Sequence, residues 1–274
     1  MRWPPADTGQ RLTGLEETFR DTQTALQRIR NSSYFGYSDF GWSADSHQLA
    51  AMAYGYVIIY DFSLGEVTNI FDLLMVTNND LYSDLSWFDW SPDGSQFAAF
   101  HFRMNDGEIV FPLEVVLGFW DHNGRWLRQD EQSTTPSDEL SCIPYASDLA
   151  QGIGAVGNDI IWSPDSQTVA VSATGITVCT PQSDGTLQVK EVFPTPYAAE
   201  QLHWSSDQTW LFGIRYDCSL LMADVLDDYT PYTHTPDIEN CDYESAAWSE
   251  DGHYIALATS SGLWVGTIDW HSNE

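Results

Sequence analysis

Apolar runs of three to five residues recur along this chain, separated by clusters of Gly, Asn, Asp, Ser and Pro, and one combination returns five times. The fullest copy is Phe88-Asp89-Trp90-Ser91-Pro92-Asp93-Gly94, followed by the apolar Phe97 to Phe100. The other copies are centred on Trp42-Ser43-Ala44-Asp45-Ser46, Trp162-Ser163-Pro164-Asp165-Ser166, Trp204-Ser205-Ser206-Asp207-Gln208 and Trp248-Ser249-Glu250-Asp251-Gly252. They lead into Leu49 to Ala53, Val169 to Val171, Trp210 to Phe212 and Ile255 to Ala258. In such a unit Pro presets the first turn dihedral, Asp bonds its own backbone and Gly accepts positive φ, so the chain reverses between two apolar strands. The pattern therefore predicts five β-hairpins.

The tryptophans are spaced 48, 72, 42 and 44 residues apart, close to the length of a four-stranded propeller blade apart from one insertion. The Trp-Ser-Pro-Asp-Gly signature, the apolar strand after it and a later Asp-x-x-x-Gly turn resemble the WD40-like propeller repeats of the TolB type. They also resemble the propeller domains that cover some serine peptidases. The resemblance spans about residues 7 to 270. It is fullest in the second copy, while the first and fourth lack the motif Pro and Gly and the third and fifth each lack one. The expected fold is all-β: a single domain folded as a five-bladed β-propeller of four-stranded antiparallel blades. The blades fall at about 40–75, 86–131, 158–194, 200–234 and 245–270, with 132–157 as an inserted loop. Residues 7–17 read as an outer strand that completes the last blade, because a closed ring leaves no unpaired edge.

At 274 residues and 43% hydrophobic, the chain can bury a large core. Its net charge of −30 arises from 40 acids against 10 bases, of which Lys190 is the one lysine. That field repels phosphate backbones and anionic lipid, so nucleic acid is excluded as an expected partner, as is membrane insertion, since no apolar run reaches the length of a span. Residues 1–7 lack a signal-peptide core, which leaves the compartment open: the expectation is the periplasm or the cell exterior if the chain is a mature portion, otherwise the cytoplasm, or a fragment of something longer. A monomer is expected. Cys142, Cys179, Cys218 and Cys241 have no CxxC spacing, so they read as buried thiols or two disulfides rather than a zinc site. Cys218 opens the third strand of blade four and Cys241 enters blade five on the same ring face, which admits a Cys218–Cys241 bridge; the other two carry no such argument.

Candidate chemistry is sparse. Gly152-Ile153-Gly154-Ala155-Val156-Gly157 spells GxGxxG but lacks the preceding strand and following helix that dinucleotide binding needs. There is no P-loop, HExxH, EF-hand or GxSxG spacing, so neither a metal nor a cofactor is expected. The repeat-turn aspartates are explained by repetition. More informative are the residues just before each first strand, which should converge on one ring face: Tyr37, Asp39, Asp84, Trp87, Asp89, Asp159, Tyr197, Glu200, Asp242, Tyr243 and Glu244. His203 joins these candidates where a strand should line the channel, with a satisfied structural histidine as the favoured reading there. Acids among aromatic rings suit a peptide, a sugar or a cation. The resemblance implies a non-catalytic, acidic scaffold binding a protein or peptide on this loop-rich face. The alternative is a carbohydrate-active propeller, glycosidase or lectin, with Asp89, Asp159 and Glu244 as candidate acids. A further alternative is a fragment of a larger receptor or peptidase.

Overall fold

The computed structural model describes residues 37–43, 45–53, 56–72, 81–83, 88–105, 108–109, 115–121, 126–131, 142, 159–173, 175–182, 186–194, 197–236, 241, 243–249 and 253–267. Among them there is no helix, and every strand pairing is antiparallel. The strands form five sheets in chain order. The first contains β1 (Tyr37–Trp42), β2 (Gln48–Ala53), β3 (Tyr56–Asp61) and β4 (Glu66–Asp72). The second contains β5 (Leu81–Ser83), β6 (Phe88–Trp90), β7 (Gln96–Asn105), β8 (Glu108–Ile109), β9 (Val115–Asp121) and β10 (Trp126–Glu131). The third is β11 (Asp159–Trp162), β12 (Val169–Ser172), β13 (Ile176–Pro181) and β14 (Leu187–Phe193). The fourth is β15 (Gln201–Trp204), β16 (Trp210–Ile214), β17 (Leu220–Asp224) and β18 (Thr230–His234). The fifth has three strands, β19 (Tyr243–Trp248), β20 (Tyr254–Thr259) and β21 (Gly262–Thr267).

The second sheet departs from the expected four strands. Its β7 runs ten residues, and its far half pairs with the short β5 and β8, while the near half pairs with β6. The expected outer strand at residues 7–17 lies outside the described residues, as does the inserted loop except for Cys142.

The repeat is built identically each time. Each motif Trp pairs with the residue seven positions on: Trp42 with Leu49, Trp90 with Phe97, Trp162 with Val169, Trp204 with Leu211 and Trp248 with Ile255. The next serine closes the turn twice over. Its backbone N–H donates to the carbonyl five residues on, at 2.8 to 2.9 Å in all five copies, and its Oγ accepts that residue's N–H. In the four copies whose Asp is described, Oγ donates to Asp45, Asp93, Asp165 or Asp207 at 2.6 to 2.7 Å. These carboxylates also cap the backbone two residues further on. Hydrogen bonding of the charged form holds Asp45 and Asp207 below the ordinary carboxylate pKa.

Core packing between sheets follows one rule. The motif Trp of each sheet lies against the preceding sheet, at the residue eight positions past that sheet's own Trp and its cross-strand neighbours. Trp90 clusters with Ala50, Val57 and Ile59, Trp162 with Ala98, Leu117 and Phe119, and Trp204 with Ala170, Ile176 and Val178. Trp248 stacks on Phe212 at 4.7 Å and packs with Leu220. Two parts are left over: Trp42 is 55% exposed, and the equivalent slot on the fifth sheet, Ala256, Leu263 and Val265, has Leu263 at 73% and Val265 at 69% exposed.

Two disulfides join distant segments. Cys218 and Cys241 are bonded with Cα atoms 6.0 Å apart, tying the fourth sheet to the approach to the fifth. Cys142 and Cys179, which carry no pairing argument in their spacing, are bonded across 5.9 Å, pinning the inserted loop to β13. The lone lysine, Lys190 on β14, pairs with Asp228 and lies over the Tyr229 ring at 5.4 Å, bridging the third and fourth sheets.

Candidate functional site

The strand directions give the sheets two unlike ends. The motif turns and the β3–β4 and β17–β18 turns lie at one end, where Asp45, Asp61, Asp93, Asp165, Asp207 and Asp224 are each bonded within their own turn. The passages from sheet to sheet lie at the other end. That end is where the candidate residues are expected, and it carries the site's geometry.

Asp89 and Asp159 are structural stitches between sheets. Asp89 Oδ1 accepts the Trp90 amide at 2.9 Å, and its Oδ2 accepts the Trp162 amide of the next sheet at 2.7 Å. Asp159 repeats the device, accepting the amides of Ile160 at 2.9 Å and of Leu202 in the next sheet at 2.5 Å. Gln201 takes the role between the fourth and fifth sheets: its Oε1 accepts the Ala246 amide at 3.2 Å and the Tyr243 hydroxyl at 2.7 Å. Sequence reasoning singles out the two acids for chemistry and overlooks Gln201, although it stands three residues before a motif Trp, as Asp159 does.

His203 is packed as a structural histidine. Strand alternation turns it, together with Gln201, toward the fifth sheet. There its ring stacks parallel to Trp248 at 5.4 Å and near Phe212 at 6.3 Å. Burial lowers its pKa to about 4, so it is neutral near pH 7.

Around the end of the fourth and fifth sheets the structure gathers a mixed patch. Tyr197 is 39% exposed, with the Arg215 guanidinium 5.5 Å above its ring. Arg215 Nη1 lies 3.5 Å from the Asp217 carboxylate, and Asp217 in turn caps Ser219 through Oδ1. Burial opposes ionisation of Asp217, but the Ser219 hydrogen bonds and the Arg215 charge outweigh it and leave the pKa lowered. Tyr216 is 61% exposed, and its carbonyl accepts the Tyr243 amide at 3.3 Å. Tyr243 is half-buried; burial, and then the fields of Asp159 and Glu200, push its phenol up to about 12. Asp159, Glu200 and Tyr243 are thus neighbours. Glu244 follows at a bulge in the β19–β20 register and is exposed. Such a bulge re-aims the side chain at the extra residue.

Of the remaining candidates, Tyr37 and Asp39 open β1, where the register also slips, while Asp84, Trp87 and Asp242 lie outside the described residues. Arg215 and Tyr216 are not singled out by sequence reasoning, because they sit in a β16–β17 turn rather than in a passage between sheets. Among the described residues no group of three or more His, Cys, Asp or Glu side chains could hold a metal ion.

No protein-family model matches the chain, and no curated protein matches it either. Among solved structures, it is similar to the Cps50 (Swd1) beta-propeller domain of Myceliophteria thermophila, with a TM-score of 0.55 and 14% identity, over 85% of this chain and 69% of that one. At that identity the likeness speaks to fold alone. With the succession of antiparallel sheets, it shows that the chain folds as a β-propeller.

Proposed function

We propose that this chain is a non-catalytic, WD40-like propeller scaffold of the TolB type, binding a protein or peptide on the end where the chain passes between sheets. The observation that carries this reading is the Tyr197–Arg215–Tyr216 cluster, exposed at that end. Tyr and Arg supply large contact area and directional bonds at little conformational cost, the composition of interface hot spots. The glycosidase alternative loses support from Asp89 and Asp159, since both carboxylates already hold neighbouring strands. A photo-crosslinking residue placed at 216 is expected to give a discrete adduct with a partner, and one placed at Glu191, on β14, is expected to give none. Equal adducts from both positions, or turnover of a model glycoside that Asp89→Asn abolishes, would defeat the proposal.

The same reading takes the scaffold to be a five-bladed ring, with residues 7–17 as the outer strand of the last blade. The unfilled slot at Ala256, Leu263 and Val265 has the register of the four filled ones, and Trp42 is the tryptophan without a slot. In a closed ring Trp42→Ala destabilises about as much as Trp90→Ala, by about 3–5 kcal/mol. In an open one its cost stays within about 1 kcal/mol, so urea denaturation of the two variants decides.

A further inference from the structure

We infer that the end of the fourth and fifth sheets recognises a basic peptide segment, with Tyr216 stacking on a guanidinium or ammonium group and the exposed Glu244 carboxylate beside it. This rests on the scaffold reading above and names the chemistry of its partner. Three observations converge on it.

The first is the exposed ring. Tyr216 is 61% exposed on a turn that the Cys218–Cys241 disulfide fixes from the next residue but one. A ring held in place offers its face to a cation with little further ordering, and such contacts strengthen binding about two- to five-fold at exposed sites. The second is the local charge. The one base among the described residues of the cluster, Arg215, is neutralised by Asp217 and laid over Tyr197, so it does not oppose an incoming cation. Glu244, exposed and next in sequence to Tyr243, whose amide donates to the Tyr216 carbonyl, then leaves the patch negative. The third is the whole chain. With 40 acids against 10 bases, the surface draws cationic partners and speeds their encounter. An acidic or nucleic-acid partner would meet repulsion at both scales.

The probe is a capped pentapeptide of alternating glycine and arginine, set against its glutamate counterpart, titrated calorimetrically at 50 mM and 300 mM sodium chloride. The arginine peptide is expected to bind with Kd on the order of 0.1 mM at the lower salt, and the glutamate peptide not at all. Tyr216→Ala and Glu244→Gln, both exposed and therefore folding normally, each weaken binding about five-fold. Glu191→Gln, away on β14, leaves it unchanged. If Glu191→Gln weakens binding as much as Glu244→Gln, the attraction is diffuse and the inference fails. Absence of binding at 1 mM peptide likewise overturns it. Competition separates this from the scaffold reading: partner crosslinking at position 216 that arginine peptide added before irradiation does not suppress leaves the scaffold standing and removes its basic specificity.

Discussion

The fifth motif position shows how one residue's backbone explains a sequence preference. Ser46, Gly94, Ser166 and Gln208 all adopt positive φ, between 57° and 70°, whether or not they are glycine. The second copy meets this geometry with Gly, while Ser46, Ser166 and Gln208 carry the steric cost of a Cβ there. Gln208→Gly is therefore expected to stabilise the protein by about 0.5–1 kcal/mol, seen as a raised urea midpoint with an unchanged slope. Ser166 is a poorer choice for this change, because its Oγ accepts the Asp93 amide of the preceding sheet at 2.9 Å.

His203 gives a second residue-scale expectation. Its folded pKa, about 4, lies below the ordinary 6.5, so the neutral ring is favoured in the fold. Its contribution is complete above pH 6.5 and is lost as pH falls toward 4, because the unfolded chain binds the proton first. Discounted for partial exposure, the loss is on the order of 2 kcal/mol. Unfolding at pH 7 and pH 4.5 should show this slope in the native protein and a smaller one in His203→Phe, which keeps the stack. Equal slopes would place the titrating groups elsewhere.

At the scale of elements, the hairpins were legible and their joints were not. Trp, Ser and Asp at fixed spacing state the turn, and β2, β12, β16 and β20 fall on the apolar runs expected for them. Even Pro231 fits, since it sits on β18, the edge of its sheet. The stitches escaped notice because an aspartate bonding a neighbouring sheet's amide looks, in one dimension, like an aspartate awaiting a substrate. β5 escaped as well, being three residues long with no alternation to reveal it. Asp89→Ala should strand the Trp162 amide between sheets and cost about 1–3 kcal/mol, measured by denaturation. Gly213 tests the packing of β16 against the passage that enters its sheet. A Cβ there would meet the Ala199 Cβ at 2.8 Å, so Gly213→Ala is expected to destabilise by about 1–3 kcal/mol.

For the whole molecule, net charge acts on every sheet at once. An excess of 30 negative charges repels itself most strongly when compact. Raising sodium chloride from 10 mM to 1 M should therefore raise the melting temperature, since the Debye length falls from about 30 Å to about 3 Å. A flat or falling response would mean that local pairing already cancels the repulsion. Fold class was legible at this scale from the fivefold recurrence. The mixed patch was not, because Tyr197 comes from a passage, Arg215 and Tyr216 from a turn and Glu244 from a strand, and they meet only when two sheets are placed side by side.

The tryptophan slot has one more consequence. A knob on one side of a sheet and a matching socket on the other is a head-to-tail coupling, and couplings of that kind have no natural stopping point unless the first unit meets the last. Within one chain the series has five members. Between chains, any variant whose terminal socket stays vacant would present it to the protruding indole of a neighbour, and fibres growing with protein concentration would be the visible sign.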